Sequence, residues 1–259
     1  MKKQILITND DSIHAPGLKL LTEIAQEFGE VKVVAPNSPQ SGMGRAVTVN
    51  TYIRVGKSDI LKDTETYICS GTPVDCIKWA IYKLYPEKLP DLVLSGINHG
   101  RNDGINILYS GTMSGALEGA LEGIPSMGFS FEGHSWKTDL TIYKQHIAKL
   151  IEKTINMLNF PKNTCLNINI PNCPNEEIQG YKICRQAKAF WEEVYEERLD
   201  PSGNPYYWLA GKFANREKKE EEQDSDFYQL EKKYITIVPA HFDLTDYQSI
   251  AKFKNFEII

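Results

Sequence analysis

The chain has 259 residues, long for a single core and short for two full domains, which favours one large α/β domain with an extension. Hydrophobic residues make up 41% and charged residues 24%, an ordinary globular composition that excludes a disordered or fibrous chain. A net charge of −5 excludes the basic footprint of a duplex-DNA or anionic-membrane binder, but local dipoles or a metal could still hold a small anion.

No apolar stretch approaches the roughly 20 residues of a membrane helix. The apolar run over 5–8 is too short for a signal peptide, and Asn9-Asp10-Asp11 ends it. Cys69, Cys76, Cys165, Cys173 and Cys184 form no C-x-x-C pair. An odd count without a secretory signal predicts reduced thiols and a cytoplasmic protein.

The short β-branched run over 4–8 predicts a buried strand. Pro16 suits the first turn of a helix, and Leu18, Leu21, Ile24 and Ala25 carry helical spacing to Phe28, where Gly29 is expected to end it. A strand over 31–35 completes a βαβ unit. A loop rich in Pro, Ser and Gly covers 36–45, followed by strand-like runs over 46–55 and 65–69. Thr72-Pro73-Val74-Asp75 is a helix start with a Thr cap, and the helix should reach about residue 84. A strand over 91–95, a Gly/Asn loop over 96–111 and a helix over 112–123 come next. Gly115, Gly119 and Gly123 on that helix share a face suited to close packing on a sheet. A strand over 126–131, an amphipathic helix over 139–158 and a strand over 165–170 follow.

Residues 1–185 therefore read as an α/β core, a Rossmann-like doubly wound, mostly parallel sheet. In such sheets ligands bind at the carboxyl ends of the strands, so the loops over 9–14, 36–45, 70–72 and 96–111 should share one edge. Residues 186–259 read as a C-terminal extension and oligomerisation arm. Phe190, Trp191, Tyr195, Tyr206, Tyr207 and Trp208 crowd around the turn signal Pro201-Ser202-Gly203-Asn204, which predicts a β-hairpin. That aromatic content suits packing on another subunit; the alternative is a hairpin folded on its own core. The charged run over 216–226 is expected to be solvated and mobile. A strand over 234–238 and a terminal helix over 245–253, capped by Thr245 with Gln248 at the capping-box position, complete the chain.

Two adjacent carboxylates, Asp10 and Asp11, end the first strand. A hard divalent ion such as Mg²⁺, Mn²⁺ or Ca²⁺ would relieve their repulsion, whereas an Asx turn is the plainer alternative. Asn98 offers a neutral oxygen to a metal or a donor to a phosphate, or else serves only its glycine-rich loop. Ser110-Gly111-Thr112 opens a helix, a natural anion site if it is more than a Ser/Thr cap, and Gly111 would let the anion approach. In the loop over 36–45, Ser41 could complete a metal shell and Arg45 could reach a phosphate. Gly42-x-Gly44 lacks the third glycine of a dinucleotide fingerprint, and no Walker A, G-x-S-x-G or H-E-x-x-H motif is present. His14 and His99 fall in active-edge loops and take no assigned role; His134, His146 and His241 fall outside them.

Five blocks carry a resemblance. They are Ile5-Leu6-Ile7-Thr8-Asn9-Asp10-Asp11, Val34-Ala35-Pro36, Ser70-Gly71-Thr72-Pro73-Val74-Asp75-Cys76, Ser95-Gly96-Ile97-Asn98-His99-Gly100, and the run from Tyr109 through Ser110, Gly111 and Thr112 to Ala116. In this order and spacing the chain resembles the SurE family (stationary-phase survival protein E) of metal-dependent nucleotidases. Asn167-Ile168-Asn169-Ile170-Pro171 extends the likeness more loosely. The resemblance implies one divalent ion per subunit, Mg²⁺ or Mn²⁺, bound by Asp10, Asp11, Ser41 and Asn98. It also implies phosphate contacts near Asn9, Ser110, Gly111 and Thr112. The activity it implies is hydrolysis of nucleoside monophosphates, with 3′-nucleotidase or exopolyphosphatase activity as an extension. A cytoplasmic homodimer or homotetramer is implied too. Catalysis would fall to Asp10, Asp11 and Asn98. Two departures stand out: Ser12 occupies the usual glycine position after the aspartates, and Ser38 competes with Ser41 in the alignment of its loop. The rival readings are a non-catalytic nucleotide-binding module and a zinc deacetylase, for which His14 is the single local histidine.

Overall fold

The computed structural model describes residues 2–256; Met1 and residues 257–259 lie outside them. In chain order the elements are β1 (Lys3–Thr8), α1 (Pro16–Ala25), β2 (Gly29–Pro36), β3 (Val55–Ser58), β4 (Glu65–Cys69), α2 (Pro73–Leu84), β5 (Leu92–His99), α3 (Gly111–Leu121), β6 (Ser126–Phe131), α4 (Lys144–Ile155) and β7 (Thr164–Ile170). Then come β8 (Tyr181–Ile183), β9 (Ala189–Leu199), β10 (Pro205–Asn215), α5 (Asp226–Glu231) and β11 (Ile235–His241). Among the described residues, nine strands form one sheet in the order β3-β4-β2-β1-β5-β6-β7-β11-β8. Its pairs are parallel except β3 with β4 and β7 with β11. The chain winds outward from β1 through β2 to β4, then returns to place β5 on the other side of β1. The switch point of the sheet therefore lies at the end of β1, where Asn9, Asp10 and Asp11 follow.

Both faces of β1 are covered, which is why the strand reads as an unbroken apolar run. Ile5 and Ile7 join Leu18, Leu21 and Ile24 of α1 and Ile147 and Ile151 of α4 in one core. Leu6, pointing the other way, packs with Cys76, Ile77 and Ala80 of α2. Each such fully buried aliphatic side chain contributes about 1.5–3 kcal/mol. α2 starts as its sequence predicts, with a complete capping box between Thr72 and Asp75. α3 lies unusually close to the sheet because it is built from small residues. A Cβ on Gly115 would stand 2.7 Å from Thr8 Cγ2, and one on Gly119 would stand 2.4 Å from Ser126 Oγ. Gly123 does not share this role: it has φ +79 beyond the helix end, with open space around its Cβ position.

Several predicted elements shift, each for a local reason. The run over 46–55 forms no long strand, because the start of α2 captures it. Thr72 Oγ1 donates to the Ala46 carbonyl at 2.8 Å, and Thr48 donates to Asp75 from its amide (3.0 Å) and hydroxyl (2.6 Å). α1 stops at Ala25, and Gly29 instead begins β2, where a Cβ would meet the Lys3 carbonyl oxygen at 2.4 Å. The helix predicted over 139–158 opens as a 3₁₀ turn, Leu140–Tyr143, and becomes α4. The terminal segment forms a 3₁₀ helix over Ile250–Phe256, and Asp246, not Thr245, accepts the preceding amides of Gln248 and Ser249. All five cysteines are buried and free. Among the described residues no helix is long and apolar enough to cross a membrane.

Residues 186–256 do not form a separate body. β9 and β10 form the expected hairpin as their own two-stranded sheet, but β11 inserts into the main sheet between β7 and β8. The charged run over 216–226 is anchored at both ends. The buried Glu217 carboxylate pairs with Arg185 at 2.6 Å. Asp226, fully buried, opens α5 and accepts the amides of Gly104 (3.1 Å), Ala187 (2.8 Å) and Phe227 (2.8 Å). That one carboxylate ties the loop after β5 to the base of the hairpin. Neither α5 nor β8 is visible as a periodic pattern in the sequence, being only six and three residues long.

Candidate functional site

At the carboxyl edge of the sheet a cavity of about 390 Å³ is lined by Asp10, Ser41, Asn98, Ser110 and their neighbours. Three of the four predicted loops build it. They are laced together by backbone bonds: Gln40 N–H to Asp10 O (2.7 Å), Ile13 N–H to Pro36 O (2.8 Å) and Gly44 N–H to Tyr109 O (3.0 Å). The fourth loop, over 70–72, caps α2 and does not line the cavity.

Asp10 sits at the centre, 4% exposed. Its carboxylate accepts a hydrogen bond from the Thr112 hydroxyl. Burial, opposed by that hydroxyl and reinforced by the negative charge of Asp11, pushes the Asp10 carboxyl up to about 6 from an ordinary value of 3.8. A buried carboxylate with its pKa displaced this way is a group in want of a cation. Asp11, next in the chain, accepts the His99 amide at 3.1 Å through Oδ2, which lies 3.3 Å from His99 Nδ1. His99, unassigned from sequence, thus fixes Asp11, and its buried Nε2 has no partner among the described residues. Asn98 donates its Nδ2 to the Gly100 carbonyl at 2.7 Å, which fixes the amide and leaves Oδ1 as an open acceptor on the cavity. Ser41 lines the cavity, whereas Ser38 lies outside it, bonded to Asn37 and Gln40.

The start of α3 closes one side. Ser110 lines the cavity and caps the helix, accepting the Met113 amide at 3.0 Å. Gly111 and Thr112 face Asp10 instead. A Cβ on Gly111 would stand 2.6 Å from Asp10 Cβ, so the glycine admits the carboxylate, and Thr112 is fully buried beneath it. Asn9 is also buried; its Nδ2 donates to the Ser12 carbonyl at 2.8 Å, and its Oδ1 has no partner.

Ser12 has φ +90, the backbone region that a glycine would occupy without cost. Replacing Ser12 by Gly is expected to stabilise the protein by about 1 kcal/mol. Chemical unfolding of the two proteins would measure this, and equal midpoints would refute a strained Ser12.

Some expectations need correcting. His14 is exposed and away from the cavity. Arg45 lines a different hollow, with Ile107, Leu117 and Val238. His134, placed outside the active-edge loops on sequence, lines the cavity. It follows β6, a central parallel strand, so the strand-end rule could have found it. Arg101, Asn106, Tyr109, Trp191 and Phe213 also line the cavity. The last two come from the hairpin, which no local pattern connects to this edge. Among the described residues no three His, Cys, Asp or Glu side chains cluster as a metal site, because the candidate donors are two carboxylates with a serine and an asparagine.

The family model described as survival protein SurE matches residues 5–193. The 5′-nucleotidase SurE of Flavobacterium psychrophilum is 45% identical over 258 residues, covering 99% of this chain and 98% of that protein. The 5′-nucleotidase SurE of Christiangramia forsetii is 46% identical, with the same coverage. The crystal structure of the Sure protein from Aquifex aeolicus superposes with a TM-score of 0.84 at 37% identity, covering 98% of this chain and all of that one.

Proposed function

The chain belongs to the survival protein SurE family, and from that membership we propose a metal-dependent 5′-nucleotidase that hydrolyses nucleoside monophosphates to nucleoside and phosphate. The observation that carries this reading is the meeting, at one cavity, of the buried Asp10 carboxylate with the open Oδ1 of Asn98. Asp10, Asp11, Ser41 and Asn98 are all oxygen donors, the set a hard ion prefers, and they would hold one Mg²⁺ or Mn²⁺ per subunit. When bound, the ion neutralises phosphoryl oxygens and lowers the pKa of a water.

The chain's own residues do the rest. Asp10, held by the Thr112 hydroxyl, orients the attacking water and receives its proton, which then passes to the nucleoside oxygen as the phosphorus–oxygen ester bond breaks. Asp11 stays fixed through the His99 amide. The positive end of α3, which reaches the cavity at Ser110, stabilises charge developing on the phosphoryl group. Asn9 stands behind this wall and holds the turn at Ser12. The exposed Tyr207, Trp208 and Leu209 of the hairpin support a homodimer or homotetramer joined there, and the free buried thiols support a reducing cytoplasm.

Phosphate release from a panel of nucleoside 5′- and 3′-monophosphates tests this. Release is expected with Mn²⁺ or Mg²⁺ and not with chelator. Tight binding without release under any metal would favour the non-catalytic nucleotide-binding module instead.

A further inference from the structure

The cavity does not end at the carboxylates. Its lining continues from Asp10 and Asn98 to Asn106, Tyr109, Trp191 and Phe213. Trp191 and Phe213 are paired across the base of the β9–β10 hairpin, with ring centroids 5.4 Å apart. Phe213 is held from behind. It packs on Phe227 at 5.7 Å, and the Arg101 guanidinium lies over both rings, at 5.7 and 4.7 Å. Arg101 is itself fixed by Asp103 and Glu132. Trp191 donates its indole N–H to Asn106 Oδ1 at 2.7 Å, yet remains 45% exposed.

An indole that is pinned in place and still open to solvent has little to gain from its position unless something stacks on it. The bond to Trp191 also fixes the amide of Asn106. Its Oδ1 is used, and its Nδ2 makes no hydrogen bond among the described residues, so it remains a donor.

We propose that Trp191 and Asn106 form the nucleobase subsite of this enzyme, Trp191 as the stacking platform and Asn106 as a donor to an acceptor on the base edge. This rests on the nucleotidase reading and adds to it which part of the substrate is recognised and where. Every base has a π face, so the platform favours nucleoside monophosphates over sugar phosphates of the same phosphate chemistry without choosing one base strongly. The Asn106 donor adds a preference for bases with an acceptor on the exposed edge.

The test compares 5′-AMP with ribose 5-phosphate on the intact chain. Trp191→Ala is expected to raise KM for 5′-AMP roughly tenfold more than KM for ribose 5-phosphate, with kcat for 5′-AMP changed little. Trp191→Phe should recover most of the loss, which a merely structural role would not produce. Asn106→Asp keeps an acceptor for Trp191 and removes the donor, and it should reorder the KM values among the four nucleotides. Adenosine alone, which carries no phosphate, should quench the tryptophan fluorescence of the wild type at concentrations that leave Trp191→Ala unchanged. Equal losses for 5′-AMP and ribose 5-phosphate in Trp191→Ala would overturn the subsite. Failure of the wild type to release phosphate from either ester would overturn the nucleotidase reading, and adenosine quenching would still decide the platform.

Discussion

Asp10→Asn is expected to lower kcat/KM for nucleoside monophosphates on the order of 10³-fold and, at the same time, to stabilise the metal-free protein. Both effects follow from where the carboxylate sits. It is buried beneath α3 beside a second carboxylate, and its pKa in the folded chain is pushed up to about 6. The folded state therefore holds the Asp10 proton more tightly than the unfolded state does. Below about pH 4 both states are protonated and the site costs nothing. Between about pH 4 and 6 the unfolded chain gives up this proton while the folded chain still holds it, so stability falls across that window, by about 3 kcal/mol in all for a shift of this size, and is level above it. Asparagine keeps the acceptor for Thr112 and removes the charge. In chelator at pH 8 the variant should melt several degrees above the wild type, since about 1 kcal/mol is worth roughly 2–4 °C in a chain of this size. The gap should close by pH 4. With Mn²⁺ present the order should reverse, because the wild type alone has its full donor set. A variant that melts lower than the wild type in chelator at pH 8 would show that Asp10 carries no such burden.

Gly111→Ala is expected to damage both the site and the fold. The added Cβ would meet Asp10 Cβ at 2.6 Å and Oδ2 at 2.9 Å, closer than real Cβ atoms approach. Neither neighbour is a flexible chain end: Asp10 is locked by Thr112, and its backbone by the Gln40 amide. The helix start must move, or the carboxylate must. Overpacking of this kind costs about 1–3 kcal/mol, and a displacement near 1 Å at a reacting centre costs roughly 10²-fold in rate. Gly56→Ala serves as the control, since open space surrounds its Cβ position and its backbone is in no unusual region. Its melting temperature and kcat should match the wild type, whereas both should fall in Gly111→Ala. A Gly111→Ala enzyme of unchanged kcat would remove the close contact between α3 and Asp10 from the mechanism.

The legible parts of the molecule are those whose physics is local. The unbroken apolar run before Asn9 can only be a strand covered on both faces, and the Thr72-Pro73-Val74-Asp75 start caps itself without help from elsewhere. Placing Asp10 and Asp11 at the end of that strand already places them at a ligand-binding edge. The run over 46–55 failed as a strand because its hydrogen bonds go to residues 72 and 75, a partner that no periodicity announces. Asp226 looked like one more charge in an acidic run, and its burial is explained only by three amides from 104, 187 and 227.

By itself, then, the sequence determined the doubly wound core, the family to which the chain belongs and the carboxylate pair at the switch point. Strand burial, helix caps and short ordered motifs are written within a few residues of one another. Tertiary structure alone decided what surrounds the pair. It set the Thr112 hydroxyl on Asp10 and His99 against Asp11, and returned β11 to the main sheet. It also brought Trp191, separated from Asn106 by 85 positions, to the rim of the same cavity. Such pairings depend on how the sheet closes and where its loops fall, and no local preference of the chain encodes that.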